Sequence, residues 1–175
     1  TSAYVRNGNH TTNTIEQTDT ISNIENIIGS SGDDIFKGNS EANDISGGSG
    51  NDTISGGAEA DILKGDSGDD VFTDTSFTGD TIDGGTHTVD NLGTQSSSTP
   101  YTGKGDTVDY STESDKIIVT LDSINQTIVK INGINYDYIQ EIENITSGSA
   151  DDTLTGDSNN NTFISNAGND TLSGG

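Results

Sequence analysis

Cysteine, methionine and tryptophan are absent from this 175-residue chain, proline occurs once, and lysine and arginine together number 6. Each shortage excludes something. Without cysteine no disulfide holds the chain. With 26% apolar and 5% aromatic residues there is too little material for a conventional packed core. No stretch approaches the length of a membrane-spanning helix and no basic amphipathic segment is present to lie on anionic lipid, so membrane insertion is not expected. No signal peptide is visible. Against the few basic residues stand 29 acidic ones, a formal charge of −23. Such a surface repels phosphate and excludes nucleic acid as a partner. Low hydrophobicity with high charge reads as disorder, unless a divalent cation neutralises the acid and makes folding conditional on its binding.

What the chain has is glycine, 23 residues of it, in a period. From Gly29, glycine opens every ninth residue: Gly29, Gly38, Gly47, Gly56 and Gly65. The units read "GSSGDDIFK", "GNSEANDIS", "GGSGNDTIS", "GGAEADILK" and "GDSGDDVFT". Position six is Asp34, Asn43, Asp52, Asp61 and Asp70; position eight is always apolar, Phe36, Ile45, Ile54, Leu63 and Phe72. Each unit joins a polar turn of about six residues to a short strand with one inward side chain. One such strand cannot bury that side chain and a stack can, so the period predicts a solenoid with a thin core. Strict apolar occupancy of position eight argues against a low-complexity linker. The phase slips by one at Asp80 and Ile82, with further steps at Asp90 and Leu92 and at Asp106 and Val108.

Longer-range order follows. Residues 93–104 hold the only proline and read as a loop, and 105–140 as a β-rich hairpin segment packed on the solenoid, with a turn at "ING", 131–133. "ISNIENIIGSSGDD" (21–34) aligns without gaps to "IQEIENITSGSADD" (139–152), a super-repeat of 118 residues. The expected organisation is therefore a tail of a preceding β segment (1–20), a first array (21–92), the loop, the hairpin segment, and a second array (141–175). That second array ends without a cap, as in a fragment of a longer tandem protein.

Glycine and aspartate at this spacing suit calcium, a hard cation that takes six to eight oxygens, many of them backbone carbonyls. Turns that aim carbonyls at one point need positive φ, which glycine adopts freely. With two units per coil, one edge carries Asp34, Asp52 and Asp70, and a regular row of ions is expected there. The other carries Asn43, Asp61 and Asp80, with Glu41 and Glu59 in place of glycine, and fewer or weaker ions are expected. In the second array Asp152 and Asp170 are the equivalents of the first edge, with Asn161 opposite. The paired acids Asp33-Asp34, Asp69-Asp70 and Asp151-Asp152 are too periodic for a catalytic dyad, so no enzyme is expected. Position five is read as solvated. His10 and His87 are isolated loop residues, and Tyr101, Tyr110, Tyr136 and Tyr138 are expected to pack the hairpin on the roll.

"GGSGNDTIS", "GNDTLSGG" and the lead-in "IENIIGSSGDD" resemble the RTX family, the haemolysin-type calcium-binding nonapeptide repeats. The resemblance covers 21–72 and 139–175. It implies an all-β, right-handed parallel β-roll binding several Ca2+ ions between turns. It also implies a secreted or surface-bound bacterial protein exported by type I machinery. Carried onto this chain, the ligands are Gly29, Ser31, Gly32 and Asp34; Gly47, Gly48, Ser49, Gly50 and Asp52; and Gly65, Ser67, Gly68 and Asp70. Further metal positions are expected at Gly56, Ala58 and Asp61, at Asp80, Asp106 and Asp152, and at Gly168 and Asp170. Asn43 and Asn161 depart from the motif. The roles that follow are a surface-layer or adhesin module, with copies of itself or surface polysaccharide as partners, or the accessory region of a secreted hydrolase or toxin.

Overall fold

The computed structural model describes residues 2–4, 25–73, 78–86, 105–133 and 135–175. Their regular structure is entirely β. In chain order the strands are β1 (Ser2–Tyr4), β2 (Asn26–Ile28), β3 (Ile35–Lys37), β4 (Asp44–Ser49), β5 (Thr53–Ser55), β6 (Ile62–Ser67), β7 (Val71–Thr73) and β8 (Thr81–Asp83). They continue with β9 (Thr107–Asp109), β10 (Ile117–Thr120), β11 (Thr127–Ile131), β12 (Asn135–Gln140), β13 (Asn144–Thr146), β14 (Thr153–Thr155), β15 (Thr162–Ile164) and β16 (Thr171–Ser173).

Two sheets form from them. A narrow sheet has six parallel strands in the order β15-β13-β9-β7-β5-β3; a broad sheet has ten, β1-β2-β4-β6-β8-β12-β11-β10-β14-β16. Through the first array the chain alternates between sheets, one nonapeptide per strand, and strands pair in parallel with those one coil away. Ile27 sits beside Ile45 and Ile45 beside Leu63 in the broad sheet, Phe36 beside Ile54 and Ile54 beside Phe72 in the narrow one. Period-two alternation sends position eight inward: Ile45, Ile54, Leu63, Phe72, Ile82 and Val108 have no exposed surface. Their neighbours at position seven face out, Ile35 at 63% exposure and Ile62 at 44%. The fold is thus a parallel β-roll, as the period predicts.

The hairpin segment departs from expectation. It is built into the broad sheet rather than packed on it. β12 pairs in parallel with β8, β11 runs antiparallel to β12 and β10, and β10 pairs in parallel with β14. The hairpin turn uses Asn132 at φ 52° and Gly133 at φ 77°, the left-handed pair that a tight hairpin turn requires. Asp122 shapes the other end by accepting the N–H groups of Ile124 and Asn125 at 2.9 and 3.0 Å. Parallel pairing is compatible with this insertion because it starts and ends in the same sheet. Asp90, Leu92, Tyr101, His10, His87 and the loop 93–104 lie outside the described residues.

A second departure concerns the super-repeat. β2 lies in the broad sheet, and β13, 118 residues later, lies in the narrow one. The two copies are out of phase by half a coil. β10, β11 and β12 are consecutive in the chain and all belong to the broad sheet. Along the described strands the chain therefore changes sheet nine times between β2 and β13, and that odd number leaves the second copy in the opposite sheet.

Candidate metal centre

The turns line two edges of the roll. Edge one, where the chain passes from the broad to the narrow sheet, carries Gly29, Ser31, Gly32 and Asp34, then Gly47, Gly48, Ser49, Gly50 and Asp52. Gly65, Ser67, Gly68, Asp70 and Asp106 follow on it. Edge two, the return, carries Gly56, Ala58 and Asp61, then Asp80, Asp152, Gly168 and Asp170. The half-coil displacement therefore corrects the expected grouping. Asp152 and Asp170 continue the edge of Asp61 and Asp80, and Asn161 lies on the edge of Asp34, Asp52 and Asp70.

Along each edge the position-six side chains form a ladder. On edge one the backbone N–H of Asp34 donates to Asp52 Oδ1 at 2.7 Å, that of Asp52 to Asp70 Oδ1 at 2.7 Å, and that of Asp70 to Asp106 Oδ1 at 2.7 Å. The Asp106 N–H then donates to Glu143 Oε2 at 3.0 Å. On edge two Asn43 donates to Asp61, Asp61 to Asp80 and Asp80 to Asp137, at 2.8 to 3.0 Å. In the second array Ile117 donates to Asp152 and Asp152 to Asp170. One carboxylate oxygen of each rung thus holds the next coil in register.

The other oxygen is different. Oδ2 of Asp52, Asp61 and Asp152 is buried and accepts no hydrogen bond, and each of these residues is 1% exposed. A buried carboxylate oxygen with no donor costs free energy. Burial accordingly pushes the Asp52 carboxyl up to about 7, with the charges of Asp70, Asp34 and Asp33 adding and the Asp34 N–H opposing. Asp61 is raised by burial and opposed by the Asn43 N–H. No cation is among the groups acting on either. The one ion pair among the described residues, Lys64 with Asp44 at 3.8 Å, lies on the exposed outer face.

Space for that oxygen explains the first glycine at Gly47 and Gly56, whereas a methyl on Gly29 or Gly38 would first meet the carbonyl oxygen of Gly47 or Gly56 one coil on. A methyl group on Gly47 would overlap Asp52 Oδ2, and one on Gly56 would overlap Asp61 Oδ2. The second and fourth positions need left-handed backbone instead, as at Gly48 (φ 108°) and Gly50 (φ 123°). Asp66 (φ 71°) and Glu59 (φ 66°) adopt it without glycine, so the Glu59 turn of edge two keeps the same backbone path, whereas Asn39 and Glu41 have no positive φ and their turn does not. No group of three or more His, Cys, Asp or Glu side chains is placed to hold a metal ion among the described residues, so the oxygens these turns offer beside each position-six carboxylate are backbone carbonyls. Such a donor set, all oxygen and mostly carbonyl, fits a hard divalent cation of calcium's kind.

Where position six is asparagine, the oxygen is used internally. Asn43 Oδ1 accepts the Asn39 N–H and Asn161 Oδ1 the Asp157 N–H, both at 2.9 Å. Asp34 at the first coil does likewise with the Ser30 N–H.

Two features escaped the sequence reading. Position five is not simply solvated: Asp33 accepts the Asn51 N–H at 2.8 Å, Asn51 the Asp69 N–H at 3.0 Å, and Asp151 the Asn169 N–H at 2.7 Å. This outer ladder runs opposite in sense to the inner one. Its signal was available, since position five is Asp or Asn at 33, 51 and 69 and alanine at 42 and 60. The second is the hydrogen bond of Tyr110, which is fully buried, as expected of a residue packing the hairpin segment, and whose hydroxyl donates to Asp137 Oδ2 at 3.1 Å. Tyr138 instead is 38% exposed on the outer face.

The model of the RTX calcium-binding nonapeptide repeat matches this chain in four copies, over residues 19–54, 37–72 and 144–175. Turn, ladder and roll are those of a calcium-binding repeat protein, and the chain belongs to the RTX nonapeptide-repeat family. No curated protein matches it.

Proposed function

We propose that this chain is a structural module of a secreted or surface-anchored bacterial protein, without catalytic activity, that folds when calcium binds the turns of both edges. The carrying observation is the row of buried, donorless carboxylate oxygens at Asp52, Asp61 and Asp152. The cation-free roll pays for them, and calcium supplies the missing positive charge. The carbonyls of Gly47, Gly48, Ser49 and Gly50 with Asp52, and of the corresponding turns, are the proposed ligands. In calcium-poor cytoplasm the acidic chain stays expanded, which suits export; outside, binding energy becomes folding energy. The 118-residue super-repeat favours a repeating element of a surface layer or large adhesin, with neighbouring copies as partners.

Circular dichroism in millimolar calcium and in excess chelator tests the folding switch. A β signal that appears only with calcium is expected. An identical signal in chelator would sink the reading. Electron microscopy of calcium-induced lattices tests the surface-layer role, which fails if calcium yields only dispersed particles.

A further inference from the structure

The ladder on edge two reaches Asp137, which lies outside every nonapeptide. Its Oδ1 accepts the Asp80 N–H at 3.0 Å, as Asp61 Oδ1 accepts that of Asn43. Its Oδ2 corresponds to the donorless Oδ2 of Asp61, yet here the Tyr110 hydroxyl fills the role at 3.1 Å. Asp137 and Tyr110 are 1% and 0% exposed. On the opposite edge the same coil is closed by only three residues, 141–143, with Glu141 at φ 52° and the longer Glu143 side chain reaching the Asp106 N–H. The three-residue closure is too short for a six-residue repeat turn, and the β9–β10 connection on edge two, residues 110–116, contains no glycine.

Apolar burial is concentrated at the same place. Of the eighteen buried apolar residues among those described, ten fall in 105–146, and Val108, Tyr110, Ile117, Val129 and Ile139 there have no exposed surface. β10, β11 and β12 add antiparallel pairing, which forms from local contacts.

We propose that residues 105–146 are an internal clamp that holds its coils in register without calcium, the Tyr110 phenol doing at Asp137 what a cation does at the repeat turns. The clamp divides the roll into two calcium-responsive blocks and presents each with formed strands on which to stack, β9 and β12 towards the first array, β10 and β13 towards the second. The inference rests on the calcium-dependent reading of the repeats.

Hydrogen exchange on the whole chain, in calcium and in excess chelator, separates the two ideas. The expected result is retained amide protection over 117–140 in chelator, while 44–73 and 153–173 exchange freely and become protected on adding calcium. If 117–140 exchanges as freely as the repeats in chelator, the clamp is overturned and the calcium reading stands. If the repeats stay protected in chelator, the calcium reading falls and the clamp with it. Tyr110→Phe keeps the ring and removes the donor. Protection of 117–140 in chelator should then drop about tenfold, because Asp137 Oδ2 is left buried without a partner. Unchanged protection in chelator overturns the role of the phenol.

Discussion

The first array and the central segment share one pair of sheets but close their coils by different chemistry. Between Ile27 and Ile82 each strand contributes a single buried apolar residue, and the turns ending at Asp52, Asp61, Asp70 and Asp80 each bury an acid. Between 105 and 146 the apolar side chains crowd together and the buried Asp137 is hydrogen-bonded by tyrosine. The frame is indifferent to which is used, because both deliver the same thing: a partner for the second oxygen at position six and a flat inner row for stacking. What differs is the condition for folding. A tyrosine is always present; a cation comes and goes.

The largest expected effect comes from removing core side chains on either side of that divide. Ile54 and Ile139 are both fully buried, and truncation of either to alanine should cost about 2–5 kcal/mol. Urea unfolding should show the Ile54→Ala loss only in calcium, if the array folds only with calcium as proposed. Ile139→Ala should be costly in calcium and in chelator alike. If the two variants lose stability under the same conditions, the contrast between the regions disappears.

Next in size is the contrast between two glycines. Alanine at Gly47 puts a methyl onto Asp52 Oδ2, so the calcium midpoint of folding should rise about tenfold. Gly133, in the hairpin turn at φ 77°, has no atom within 4 Å of an added Cβ. Alanine there meets only backbone strain of about 1–2 kcal/mol, which a melting curve should register with the calcium midpoint unmoved.

Much of this was legible in the sequence, and the limits have physical causes. The nine-residue spacing of Phe36, Ile45, Ile54, Leu63 and Phe72 determines both strand length and inner face, and the roll follows because no single strand can bury its residue. The edge assignment of Asp34, Asp52 and Asp70 follows from two strands per coil. It failed for Asp152 and Asp170 because sequence identity over 118 residues carries no count of how often the chain changes sheet. β10 to β12 read as a hairpin from their alternation, but whether a hairpin lies on a sheet or in it depends on edge pairing, which local pattern does not encode. Tyr110 was invisible as a donor for the same reason: its partner is 27 residues away, in the third strand of that insertion.

A smaller effect is expected from pH, with opposite signs in the two solvents. The Asp52 carboxyl is raised from 3.8 to about 7 in the fold. A raised acid takes up a proton on folding between those values, so its burial is harmless below pH 4 and its penalty is complete above about pH 7. The calcium-free array should therefore gain β structure as pH falls from 7 to 4. The calcium-bound array should lose calcium over the same range, as protons compete for the carboxylates. Asp52→Asn should flatten both slopes; equal slopes in chelator for the variant and the natural chain would mean that Asp52 is not the titrating group.

The smallest expected effect lies at the asparagine turns. Asn43 is 3% exposed, its Oδ1 accepts the Asn39 N–H, and its own N–H extends the ladder to Asp61. Asn43→Asp preserves the shape and the acceptor and adds one buried negative charge. In chelator that charge has no cation beside it and should further disfavour the array. In calcium it should be neutralised, so the calcium dependence steepens and the apparent affinity shifts by about two- to threefold, readable by a calcium titration of circular dichroism. Equal destabilisation in both solvents would mean that this turn cannot receive a cation even when given the motif's aspartate. Edge two would then begin its ion row at Asp61.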